Sequence, residues 1–152
     1  MTEATIRIDD FTLRARDKLR YADTDRQGHV NNAVFATLLE TGRVELLHDP
    51  GSPLVERGTA FVLARLALDF RAEIVWPGEV LIGTRVAAVG RSSVTLQQAL
   101  FQHDRCVASA ESVIVLMDET TRRSRPLSPG AAERLRALAR PGATPCLSPA
   151  AS

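Results

Sequence analysis

The feature that most limits what this chain can fold into is a hydrophobic period that changes twice. From Phe11 the residues alternate. Phe11, Leu13, Ala15, Leu19 and Tyr21 fall on one side, and Thr12, Arg14, Arg16, Lys18 and Arg20 on the other, with Asp17 the polar exception on the apolar side. A period of two is that of a half-buried strand. Past Tyr21 it gives way to Phe35, Leu38, Leu39, Gly42 and Leu46, three or four apart, which predicts a helix from about Asn32 to His48. Asn31 or Asn32 is its natural N-cap, and DPG at 49–51 its stop. Glycine in mid-helix costs about 1 kcal/mol against alanine, so Gly42 is expected where another backbone comes close. The period then returns to two in Phe61–Ile74, Val80–Val89, Val94–Gln102 and Cys106–Asp118. In the first of these, Val62, Ala64, Leu66, Leu68 and Phe70 share a face opposite Arg65, Asp69 and Arg71.

The links between these segments, WPGE, GRSS and HDR, are short, which predicts an antiparallel meander. One strand, one long helix and four strands make an α+β fold. A single antiparallel sheet of five or six strands is expected to wrap the helix, and its free face and edges call for burial, most simply in a dimer. Residues 1–9 read as a flexible lead-in, and residues 10–126 as the domain. Residues 127–152 read as a short accessory helix, with Ser128 as N-cap, Pro129 in the first turn and Pro141–Gly142 as the stop, followed by a disordered tail.

Composition excludes several classes of function. The net charge of +1 sets up no field that would gather nucleic acid. The N-terminus, MTEATIRIDD, lacks the apolar core of a secretory signal, and the longest apolar run, VIVLM, is far short of a membrane span. Cys106 and Cys146 form neither a disulfide framework nor a metal-ligand pattern and suit a reducing cytoplasm. His29, His48 and His103 lack ligand spacing, so no metal is expected.

The chemistry concentrates where the first change of period occurs, in YADTDRQGHVNNAVF from Tyr21 to Phe35. DTDRQGHVNN, the E..R of the helix, LDFRAEIVWPGEV and VGRSSVTL together resemble the hotdog-fold acyl-CoA thioesterases of the 4-hydroxybenzoyl-CoA thioesterase type. The match runs in order from about Phe11 to Pro126. It implies the hotdog fold, with one central helix wrapped by the sheet. It also implies hydrolysis of an acyl-CoA without a cofactor, in a homodimer or homotetramer whose sites lie at the dimer interface.

Thioester hydrolysis needs a group that attacks the carbonyl or activates water, and donors for the oxyanion. The resemblance places the first role on Asp25. A free aspartate, with a reference pKa of about 3.9, is a poor base but is always ionised, so nucleophile and general base both stay open. The oxyanion donor is the backbone amide of Asn32, where a helix start leaves N–H groups unpaired. Asp23 is read as a brace for the turn. Gly28 and Val30 are expected beside the substrate. His29 has three readings: it orients Asp25, touches substrate, or bonds to backbone. Glu40, eight residues after Asn32, matches the catalytic carboxylate of another hotdog branch; the plainer reading is an ion pair with Arg43. Arg91, with Ser92 and Ser93, is a candidate phosphate contact for CoA, while Arg122, Arg123 and Arg125 read as a solvated run. Arg65 needs a partner, Asp69 or substrate, and Phe35, Leu39 and Val62 are candidate acyl-pocket walls. A hotdog hydratase or dehydratase and a non-catalytic acyl-CoA binding module are the competing functions. Acyl identity, and CoA against acyl carrier protein, stay open.

Overall fold

The computed structural model describes residues 5–51 and 53–139. The expected stop at Pro141–Gly142 and the tail with Cys146 lie outside the described residues. In chain order the elements are β1 (Leu13–Lys18), α1 (Asn32–Leu47), β2 (Thr59–Phe70), β3 (Glu79–Val89), β4 (Ser93–Gln102), β5 (Arg105–Asp118) and α2 (Pro129–Arg136). Each forms where the period put it, to within a few residues. The five strands make one antiparallel sheet in the order β1-β3-β4-β5-β2.

That order corrects the expected meander. Only β3, β4 and β5 follow one another; β2 pairs with β5, from Thr59 opposite Asp118 to Phe70 opposite Ala108. The segment 71–78 therefore crosses the end of the sheet. Extended, its eight residues reach about 26 Å, ample for three strand spacings of about 14 Å in all. On the way, the amides of Arg71 and Ala72 donate to Val107 O at 2.9 and 3.1 Å. Gln102, at the end of β4, brackets Val75, its carboxamide accepting from Val75 N at 3.0 Å and donating to Val75 O at 2.7 Å. The expected strand thus ends at Phe70, not Ile74, because the backbone beyond is held by strand ends instead of a neighbouring strand.

A second correction lies within β2. The register slips between Leu63 and Arg65, a bulge at Ala64 that reverses which side chains face inward. Phe61 packs with the helix-side core before it, and Leu66 and Leu68 do so after it. Val62 and Ala64 therefore do not share the inner face with them. Phe11 also leaves its expected company. It packs over Gly83 with Ala99, Phe101, Ile6 and Ile8, on the face of the sheet away from α1. Tyr21 is 74% exposed and meets Trp76 edge-on at 5.3 Å; it sits in a 3-10 turn, Tyr21–Asp23, not in the strand.

Helix α1 lies across β1, β3 and β4 and buries Phe35, Leu38, Leu39 and Leu46. Asn31 is the cap, its side chain accepting from Ala33 N at 3.0 Å. The close approach at Gly42 is made by side chains, not by backbone: a Cβ there would lie 2.8 Å from Gln98 Nε2, 2.8 Å from Ile82 Cγ2 and 2.9 Å from Thr84 Oγ1. Gln98 is the centre of a buried polar knot. It donates to Leu39 O at 3.0 Å and to Thr84 Oγ1 at 2.9 Å, and accepts from Arg43 Nη1 at 3.4 Å. Helix α2, capped by Ser128, which accepts from Ala131 N at 3.1 Å, packs Ala131, Ala132 and Leu135 against Leu46, Leu47 and Val86.

Candidate active site

Two segments that leave the sheet at one end build the cleft. The first, residues 24–31, joins the 3-10 turn to α1. Gly28 bends it with a φ of +82°, a left-handed conformation that glycine adopts without strain. The second is the crossing segment. They are zipped together by Val30 N, which donates to Ile74 O at 2.8 Å, and by a bridge between His29 and Val75. Buried Ile74 and Val30 anchor both from below.

Asp23 and Asp25 have different surroundings. Asp23 is buried, its carboxylate accepting from Arg20 N at 2.8 Å and from the Arg20 guanidinium at 3.1 Å. Its carbonyl accepts from Asn31 N at 2.8 Å, so it holds the turn beneath the helix start. Asp25 is exposed to the cleft. Its Oδ1 accepts from Gln27 N at 2.8 Å and His29 N at 3.2 Å, and its own amide donates to His29 O at 2.7 Å. One carboxylate oxygen is tied down; Oδ2 has no hydrogen-bond partner among the described residues. Asn32 opens α1, and its N–H likewise has no acceptor among the described residues. Asp25, Gln27, His29, Val30 and Asn32 line a cleft of about 360 Å³ with Phe35, Phe70, Arg71, Ala72 and Glu73. Phe35 and Phe70 meet edge-on at 5.0 Å.

Glu73 is the residue that sequence reading missed. Its Oε2 lies 3.0 Å from His29 Nε2. The FRAE stretch carried it in plain view, but its place at the cleft depends on the crossing of 71–78, which the expected meander concealed.

Other candidates lie elsewhere. Glu40 is exposed on α1, about 12 Å along the helix axis from Asn32. Burial pushes the Arg43 guanidinium down, and the Glu40 charge offsets part of that. Arg65 is on the face away from α1 and pairs with Glu111 at 3.1 Å, not with Asp69. Arg91 and Ser92 form the turn at the far end of β3, beside Ser124 and Pro126, and Ser93 opens β4, all about 33 Å of strand from the cleft. Within one chain they do not meet Asp25. Of the three pocket candidates Phe35 reaches the cleft, Leu39 is wholly in the core and Val62 faces outward. Among the described residues no three His, Cys, Asp or Glu side chains cluster in a way that could hold a metal, and no helix is long and apolar enough to cross a membrane.

An antiparallel sheet packed on one long helix is the hotdog architecture, and its family and relatives make it that of a thioester hydrolase. The Thioesterase-like superfamily model matches residues 19–135, and the chain belongs to that family. A thioesterase from Thermus thermophilus, solved in complex with coenzyme A and Zn, is 31% identical over 88% of this chain and 98% of its own, with a TM-score of 0.74. The PA5185 protein of Pseudomonas aeruginosa has the same fold at a TM-score of 0.78, with 23% identity over 88% of this chain and 96% of its own. DHNA-CoA thioesterase from Staphylococcus aureus also shares it, at 0.74, with 19% identity over 82% and 91%.

Proposed function

We propose that the protein hydrolyses an acyl-CoA thioester to the free acid and CoA, with Asp25 as nucleophile and the Asn32 amide as oxyanion donor. One observation carries this reading: a carboxylate with one oxygen anchored by two amides and the other unpaired shares a cleft with an unpaired N–H at a helix start. In this reading Asp25 Oδ2 bonds to the acyl carbon, the C–S bond breaks and the electron pair leaves on sulfur. Water then cleaves the mixed anhydride. Losing one oxyanion donor typically costs a hydrolase about 3 kcal/mol. The coenzyme A bound by the Thermus relative supports CoA as the carrier.

We also propose a homo-oligomer joined along β2. That edge strand leaves Leu63 47% and Phe70 52% exposed, both on the side that faces the core in neighbouring strands. An exposed apolar edge is stable when paired, and Phe70 at the cleft would bring the partner to the site.

The test follows thiol release from short, long and aromatic acyl-CoAs by wild type, Asp25→Asn and Glu40→Gln. Wild type should release thiol, Asp25→Asn should lose about a thousandfold or more in kcat, and Glu40→Gln should stay near wild type. Full activity of Asp25→Asn, loss on Glu40→Gln, or hydration of crotonyl-CoA in place of cleavage would overturn the assignment.

A further inference from the structure

We propose that Glu73 is a positioning residue for the water-consuming half of the reaction: it fixes the His29 tautomer so that Nδ1 takes the proton from the water that cleaves the Asp25 anhydride. The inference rests on Asp25 as nucleophile. Glu73 Oε2 lies 3.0 Å from His29 Nε2; a carboxylate that close repels a bare ring lone pair, so the neutral imidazole keeps its proton on Nε2 and its lone pair on Nδ1. Nδ1 has no hydrogen-bond partner among the described residues, and the ring lines the cleft.

Both backbones that carry the pair are immobilised. His29 N donates to Asp25 Oδ1 at 3.2 Å and His29 O accepts from Asp25 N at 2.7 Å, so the imidazole springs from the residue that grips the nucleophile. Glu73 lies between Ala72, held by Val107 O, and Ile74, whose carbonyl accepts from Val30 N. Gln102 clamps Val75 just beyond. The Glu73 side chain is 67% exposed. An exposed pair of this kind contributes little to stability, so the pair has no evident structural task.

In the step assigned, the water oxygen bonds to the acyl carbon while its proton passes to Nδ1. The bond from that carbon to Asp25 Oδ2 breaks, and its electron pair restores the aspartate carboxylate. The imidazolium then returns the proton to solvent or to the departed thiolate. Glu73 stabilises the imidazolium as it forms and touches neither water nor acyl group.

The experiment is rapid-mixing thiol release on the full chain with Glu73→Ala and the isosteric Glu73→Gln. If Glu73 serves deacylation, each variant gives a burst of up to one thiol per site, then a steady rate about ten- to a hundredfold below wild type. That is part of the 10²–10⁴ that a general base contributes. Apparent KM should fall with kcat, leaving kcat/KM near wild type, because acylation is untouched. Hydroxylamine should speed the slow phase and yield the acyl hydroxamate. Wild-type kcat in both variants, or a lower kcat/KM with no burst, overturns the inference. Activity retained by Asp25→Asn overturns the nucleophile itself, so the two failures are distinguishable.

Discussion

Replacing Gly42 by alanine tests how α1 is seated on the sheet. On an isolated helix the change stabilises by about 1 kcal/mol. Here the new methyl would sit 2.8 to 2.9 Å from Gln98 Nε2, Ile82 Cγ2 and Thr84 Oγ1, roughly 1 Å inside ordinary contact. Ile82 is fully buried and cannot retreat. Gln98 can move only by giving up its bonds to Leu39 O and Thr84 Oγ1 and its contact with Arg43. Overpacking costs about 1–3 kcal/mol, and a stranded buried donor costs about 1–3 more. Set against the helix gain, the net is about 1–5 kcal/mol of destabilisation, or roughly 2–20 °C in Tm for a chain of this size. Gly130→Ala is the control: it lies in α2 with nothing within 4 Å of the added carbon, and should be neutral or stabilising by up to about 1 kcal/mol. Thermal and urea unfolding of both variants beside wild type would read the difference. If Gly42→Ala matches or exceeds the stability of wild type, the tight seat is wrong. If α1 lifts, the Asn32 amide shifts with it, and displacements near 1 Å can cost about a hundredfold in rate, so kcat should fall alongside Tm.

Asn31→Ala removes the cap on Ala33 N and should cost about 1 kcal/mol with a several-fold lower kcat; unchanged stability would show the cap idle. Leu63→Lys places a charge on the exposed β2 edge and should shift the mass measured by light scattering towards the monomer, whereas an unchanged oligomer would place the interface elsewhere. Asp118 is held below the usual carboxylate range by the Thr121 and Thr120 amides and the Arg125 charge. Its contribution to stability is therefore present above the unfolded value of about 3.9 and lost as pH falls through the folded value. The urea midpoint of Asp118→Asn should lie below wild type at neutral pH and converge with it in acid; a gap that persists in acid would refute the linkage.

What the sequence determined by itself was local. A period of two or of 3.6 depends on which side chains a short segment must bury, so β1, α1 and the later strands could be read, as could the caps Asn31 and Ser128. That Asp25, His29 and Asn32 share one short stretch was also visible, since eight successive residues need no distant partner to bring them together; their roles came from the resemblance and stand as proposals. The tertiary structure decided what depends on pairing across the chain. Alternation is the same whether β2 pairs with β3 or β5, so the crossing of 71–78, and with it the arrival of Glu73 at His29, had no local signature. The bulge at Ala64 is a property of the register against β5, and it alone settled which side of β2 faces the helix. Arg65 chose Glu111 over Asp69 because the partner strand set the neighbour. The same pairing carried the Arg91 turn to the opposite end of the sheet from Asp25, since antiparallel strands keep their two ends a full strand length apart.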